Sequence, residues 1–212
     1  MLVEDVMQPE VITISPKTSL PEAMRLVRQR GIRHLPVVDN GMLIGIVSDR
    51  DLKRAMASPA TSLERHELTY LLDALEVAEI MTRAVITVGR TVHIEEAARL
   101  MVTSKVSALP VTEVGRLVGI VTETDVLGLF VKAMGAGEPS SRIDVRPADG
   151  EAGLADVVHA VEDAGVGISS IMTLADRAGR RDVVVRVQTI DPRPAMERLE
   201  ARGHTVRSPS TG

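Results

Sequence analysis

A chain of 212 residues with 44% hydrophobic content is long and apolar enough to bury one large core or two smaller ones, which excludes a largely disordered protein. Tyr70 and Phe130 are the only aromatic residues and the net charge is −4, so the chain has neither a base-stacking platform nor a basic groove, and no nucleic acid partner is expected. The absence of cysteine removes disulfides, thiolate catalysis and Cys-ligated zinc together.

The start Met1–Asp5 is acidic where a signal peptide is basic, and no apolar run approaches the ~18 residues that span a bilayer. A cytoplasmic protein with no membrane partner is therefore expected. From there the chain reads as a repeat. Val3–Met56 aligns without gaps on Val77–Phe130 at a constant offset of 74, with 18 identities in 54 pairs.

Each copy has the same order of elements. In the first, a short strand is expected at Val11–Ile14, a helix at Leu20–Arg30, strands at His34–Val38 and Met42–Val47, and a helix at Asp49–Met56. Leu20, Ala23, Met24 and Val27 recur at helical spacing, and Gly31 sits where a helix stops. Asp39-Asn40-Gly41 signals a hairpin, matched in the second copy by Glu113-Val114-Gly115. One such unit is too small to bury both faces, so the copies are expected to pack as a pseudo-symmetric pair. The expected bounds are residues 1–58 and 77–134.

Between them, residues 59–76 read as a connector whose amphipathic helix, Ser62–Val77, carries Leu63, Leu68, Leu71, Leu72 and Leu75 on one side. Its His66-Glu67-Leu68-Thr69-Tyr70 has Tyr70 where a zincin needs its second His, so no metal is expected. Residues 135–141 are small and polar and read as a linker. Residues 142–207 follow the order strand (Arg142–Arg146), helix (Ala152–Ala164), strand (Gly167–Leu174), strand (Asp182–Thr189), helix (Arg193–Arg202), strand (His204–Arg207). That βαββαβ order is the ferredoxin-like split motif. Residues 208–212 read as a disordered tail. The overall fold class is thus α/β (α+β), a repeat pair followed by a ferredoxin-like domain.

In each copy the third strand enters its helix through Gly45-Ile46-Val47-Ser48-x-x-Asp51 or Gly119-Ile120-Val121-Thr122-x-x-Asp125. A hydroxyl and a carboxylate at a helix start suit a ribose and its phosphate, because the Asp accepts from vicinal hydroxyls while the Ser or Thr and free N–H groups meet the phosphate. The same spacing also fits a helix capping box. Both readings stand on the residues alone. The five His residues, 34, 66, 93, 159 and 204, are scattered over different elements, and no nucleophile–base pair converges, so no enzyme and no catalytic cofactor are expected. Met24, Met42, Met81 and Met101 read as core filler.

With the Val-Ile-Thr first strand, Leu-Pro-Val in the second and Gly-Ile-Val-(Ser/Thr)-x-x-Asp closing the third, both copies resemble CBS domains, and residues 3–130 resemble a tandem CBS pair, or Bateman module. The resemblance implies a regulatory adenosyl ligand, usually AMP, ADP or ATP and sometimes S-adenosylmethionine, in clefts between the repeats. One site would take Thr13 and Ile32-Arg33-His34 with Thr122 and Asp125. The other would take Thr87 and Val106-Ser107-Ala108 with Ser48 and Asp51. Ser107-Ala108 in place of Arg33-His34 implies clefts that differ where phosphate would lie.

Residues 142–207 resemble an ACT domain through Asp149–Val157 and Ala164–Ile168, without the Pro-Gly usual before that helix. This implies self-pairing, as a homodimer or higher, through an exposed sheet edge, or an amino-acid effector near the first strand–helix turn. The whole order is similar to the bacterial acetoin utilisation AcuB group, which implies regulation of acetoin or acetate metabolism through an unidentified partner protein. The alternative is a structural or assembly protein whose Ser/Thr-x-x-Asp motifs only cap helices.

Overall fold

The computed structural model describes residues 1–57, 74–135, 139–148, 153–176 and 179–207. The expected connector helix at 59–76 falls almost wholly outside the described residues, as do the 208–212 tail and the centre of the linker. The chain divides into two compact units, Met1–Val126 and Leu127–Gly212.

In the first unit, α1 (Leu20–Arg30) starts on Ser19, whose hydroxyl accepts from Glu22 N at 3.4 Å, and stops at Gly31 in the left-handed conformation, φ 62°. Strand β1 (His34–Asp39) pairs antiparallel with β2 (Met42–Ser48) through a two-residue turn with positive φ at Asn40 and Gly41. Helix α2 (Asp49–Ala57) follows directly.

The second copy repeats this as the short α3 (Val77–Ile80), α4 (Ile94–Ser104), β3 (Ala108–Glu113), β4 (Arg116–Thr122) and α5 (Glu123–Ala133). The two hairpins join into one sheet of order β1-β2-β4-β3, with Met42 opposite Arg116. Leu20, Leu35, Val37, Val47 and Leu52 of the first copy and Leu109, Val111 and Val121 of the second are essentially inaccessible to solvent.

The expected first strands at Val11–Ile14 and its repeat are each reduced to a single parallel bridge, Ile14 to Val37 and Val88 to Val111. The preceding residues leave the ladder and line clefts instead, as described below.

The segment that opens each copy docks on the other copy. Gln8 and Ile120 exchange backbone hydrogen bonds at 2.8 and 3.0 Å, and Thr82 and Ile46 do the same at 2.9 and 3.0 Å. Gly119 and Gly45 allow this approach: a Cβ there would stand 2.5 Å from Met7 Sδ and 2.4 Å from Met81 Sδ. Accordingly Val77 and Met81 belong to the core of the first copy.

The second unit has β5 (Ser141–Arg146), α6 (Gly153–Asp163), β6 (Ile168–Ala175), β7 (Arg181–Val187), α7 (Arg193–Ala201) and β8 (Thr205–Arg207). Its sheet is antiparallel in the order β6-β7-β5-β8, the ferredoxin-like arrangement. Ile143, Val145, Val183, Val185 and Val187 alternate inward and meet Val157, Val161, Ala195 and Leu199 of the two helices. On the other face Arg146 grips Asp182 with two nitrogens, at 2.8 and 2.9 Å, which holds that carboxyl below its usual range.

Candidate functional site

The first unit carries two clefts, each built from both copies. Cleft A is about 450 Å³ and cleft B about 400 Å³, within the size range of small-molecule sites.

At each strand-to-helix junction the capping geometry is complete. Ser48 N and Oγ donate to Asp51 Oδ2 at 3.0 and 2.6 Å, and Asp51 N donates back to Ser48 Oγ at 3.3 Å. Thr122 and Asp125 repeat the pattern at 2.8, 2.6 and 3.3 Å. The caps use one carboxylate oxygen. Oδ1 of Asp51 takes a 3.3 Å hydrogen bond from the exposed Arg54, and Oδ1 of Asp125 one of 3.3 Å from the Gln8 amide. An ionised carboxylate has about four acceptor positions. Both acids therefore keep capacity to accept further hydroxyl donors while they hold their helices.

Cleft A places Ser48 and Asp51 of the first copy with Val106, Ser107 and Ala108 of the second, and its apolar wall is Ile46, Val85 and Ile86. Cleft B places Thr122 and Asp125 with Ile32, Arg33 and His34, against Val11, Ile12 and Ile120. Ten of the twelve sequence-derived candidates thus meet in the two groupings expected. Thr13 and Thr87 do not join them. Both side chains are exposed, and the aliphatic residues just before them take the lining positions.

Arg33 and His34 border both clefts. Arg33 Nη2 donates to Thr124 Oγ1 at 3.0 Å, and His34 Nε2 lies 2.9 Å from Ser107 Oγ. Burial, and after it the Arg33 charge, lowers the His34 pKa, so the neutral imidazole is favoured. Asp49, also in cleft A, is held below the usual carboxylate range foremost by its hydrogen bond from Lys53, 2.9 Å away.

Sequence reasoning missed several lining residues: Arg50, Thr82, Ala84 and Lys105 in cleft A, and Gln8, Glu10 and Thr124 in cleft B. Lys105 had one available signal, since it stands at the repeat position of Gly31, the helix-stopping glycine. Among the described residues, no group of three His, Asp or Glu side chains is placed to hold a metal ion, and no helix is long and apolar enough to cross a membrane.

Comparison with known proteins adds to this geometry. The chain is similar to the CBS domain pair of protein MJ0100, solved in complex with 5′-methylthioadenosine and S-adenosyl-L-methionine: 32% identity, 62% of this chain and 97% of that one, TM-score 0.54. It is similar to CBSX2 in complex with AMP, with 30% identity, 62% and 96% coverage, and TM-score 0.52. It also resembles a Vibrio cholerae protein assigned to acetoin utilization (AcuB), with 31% identity, 66% and 98% coverage, and TM-score 0.54. The CBS domain family matches residues 3–58 and 77–132, which together exceed half of the chain. The chain therefore belongs to the CBS-domain proteins and carries two CBS domains in tandem.

Proposed function

We propose that this chain is a non-catalytic, cytoplasmic regulator that binds adenosyl compounds, AMP, ADP or ATP among them, in clefts A and B. One observation carries the reading: in each cleft a hydroxyl–carboxylate pair from one copy faces a strand-edge segment from the other across aliphatic walls. Asp51 and Asp125 accept ribose hydroxyls through oxygens not used in capping, adenine lies against Val85, Ile86 and Val106 or Val11, Ile12 and Ile32, and Ser48 or Thr122 lies toward phosphate. The complexes of MJ0100 and CBSX2 support an adenosyl ligand class for related domain pairs. A ligand that touches both copies favours one relative packing of them, and that preference is what a partner protein or a second copy of the chain reads.

The ferredoxin-like unit serves this reading as an ACT-like module that pairs with a second copy through an edge strand, β6 or β8, or takes an amino-acid effector near its first strand–helix turn. Most of that turn, residues 149–152, lies outside the described residues. Control of acetoin or acetate metabolism is the pathway that likeness to AcuB supports.

Isothermal titration of the purified chain with AMP, ADP, ATP, 5′-methylthioadenosine and S-adenosylmethionine tests the proposal, together with melting curves. Binding of at least one compound is expected, with stabilisation of about 2.7 kcal/mol at a hundredfold excess over Kd. Failure of all five to bind would leave the capping boxes as purely structural devices and favour an assembly role.

A further inference from the structure

The two clefts are related by the repeat, so each lining position in one has a counterpart 74 residues away in the other. Four counterpart pairs differ in charge. Lys105 in cleft A corresponds to Gly31, Arg50 in cleft A to Thr124, and Glu10 in cleft B to Ala84. These three differences act in the same direction, whereas the fourth, Arg33 at the repeat position of Ser107, is a cation that borders both clefts. Cleft A is lined by three cations, Arg33, Arg50 and Lys105, against Asp49 and Asp51. Cleft B is lined by Arg33 alone against Glu10 and Asp125.

Two contacts sharpen the contrast. Asp49 of cleft A is already paired with Lys53 at 2.9 Å, whereas the Arg33 guanidinium on the cleft B side is committed to Thr124 at 3.0 Å. Lys105 itself is held with φ at +57°, a left-handed conformation that Gly31 adopts at +62° without penalty. A cation near a helix C-terminus is favoured by the dipole, but a residue one position earlier would supply that without the strain. Lys105 thus keeps a costly backbone state at a position that lines cleft A.

Building on the adenosyl reading above, we propose that the clefts sort adenosyl compounds by charge. Cleft A takes a phosphate-bearing adenosine, with Arg50 and Lys105 on the phosphate. Cleft B takes an adenosyl compound whose 5′ substituent is neutral or cationic, a thioether or sulfonium, because Glu10 repels phosphate there. One chain therefore holds both classes at once, and its occupancy reports their balance.

The test is titration calorimetry on the full chain with AMP and 5′-methylthioadenosine, singly and each in the presence of saturating amounts of the other. In the wild-type chain each compound is expected to bind with unit stoichiometry and without displacing the other, and added salt should weaken AMP selectively. The double exchange Arg50→Thr with Lys105→Gly, which copies cleft B into cleft A, should weaken AMP at least tenfold while 5′-methylthioadenosine stays within twofold. Glu10→Ala should raise AMP stoichiometry from one to two. Equal filling of both wild-type clefts by AMP would overturn the sorting, as would mutual displacement or a double variant that weakens both compounds alike. A wild-type chain that binds neither overturns the adenosyl reading itself and this inference with it, so the two failures are distinguishable.

Discussion

His34 Nε2 lies 2.9 Å from Ser107 Oγ, and Ser107 is the residue that the repeat places opposite Arg33, the immediate neighbour of His34. The bond joins the strand-edge segment of cleft B to the strand-edge segment of cleft A. At the seam of the two copies, His34 therefore meets the repeat counterpart of its own neighbour.

This seam should be sensitive to acid. Burial lowers the His34 pKa in the folded chain below its ordinary 6.5, so on descending pH the unfolded chain binds this proton first. The contribution is present above pH 6.5 and is lost as pH falls from there toward the folded pKa. His34→Gln keeps a hydrogen-bonding side chain and cannot titrate. Urea unfolding of the variant should show a shallower loss of stability below pH 6.5 than the wild type, in a window above that of the carboxylates.

Val114 stands at the first turn position of the second hairpin with φ at +49° and is 98% exposed, so a β-branched side chain bears left-handed strain and buries nothing in return. Asn40 holds the same position in the first hairpin with φ at +48°. Val114→Asn is expected to stabilise the chain by about 1 kcal/mol, read as a higher urea midpoint at unchanged slope.

The crossed opening segments can be tested at Gly119, where a Cβ would meet Met7 Sδ at 2.5 Å and Gln8 O at 3.2 Å. Gly119→Ala should cost roughly 1–3 kcal/mol by overpacking. Combining it with Met7→Ala should cost less than the sum of the single variants, since the second change removes the obstructing sulfur. Additive losses would mean that the two residues do not touch.

Asp51→Ala and Asp125→Ala each remove the returning half of a capping box and should destabilise the chain by about 1 kcal/mol. Under the proposed function each variant also loses ligand in one cleft alone, so calorimetric stoichiometry should fall by one site rather than to zero. Near-normal stoichiometry in both variants, with the stability loss intact, would reduce the acids to caps.

What the chain shows by itself is what short spacing controls. The 74-residue repeat, the helix over Leu20–Arg30 with its glycine stop, the Asn40-Gly41 turn and the βαββαβ order of the second unit all rest on contacts or periodicities within a few residues. Ser48-x-x-Asp51 and Thr122-x-x-Asp125 were legible for the same reason, since a capping box closes over three residues. Tertiary packing decided the rest. Docking of Gln8 on Ile120 and of Thr82 on Ile46 runs through backbone groups, and the glycines that allow it, Gly45 and Gly119, do not name their partners. That docking takes Val11 and Ile12 out of the expected strand and makes them a cleft wall, while Thr13 faces solvent. The sequence marked a difference between the clefts at Arg33-His34 and Ser107-Ala108, but not the one made by Glu10, Arg50 and Lys105. Glu10, Arg50 and Lys105 acquire opposing roles only when the pseudo-symmetric pair folds and brings residues far apart in sequence to two facing walls.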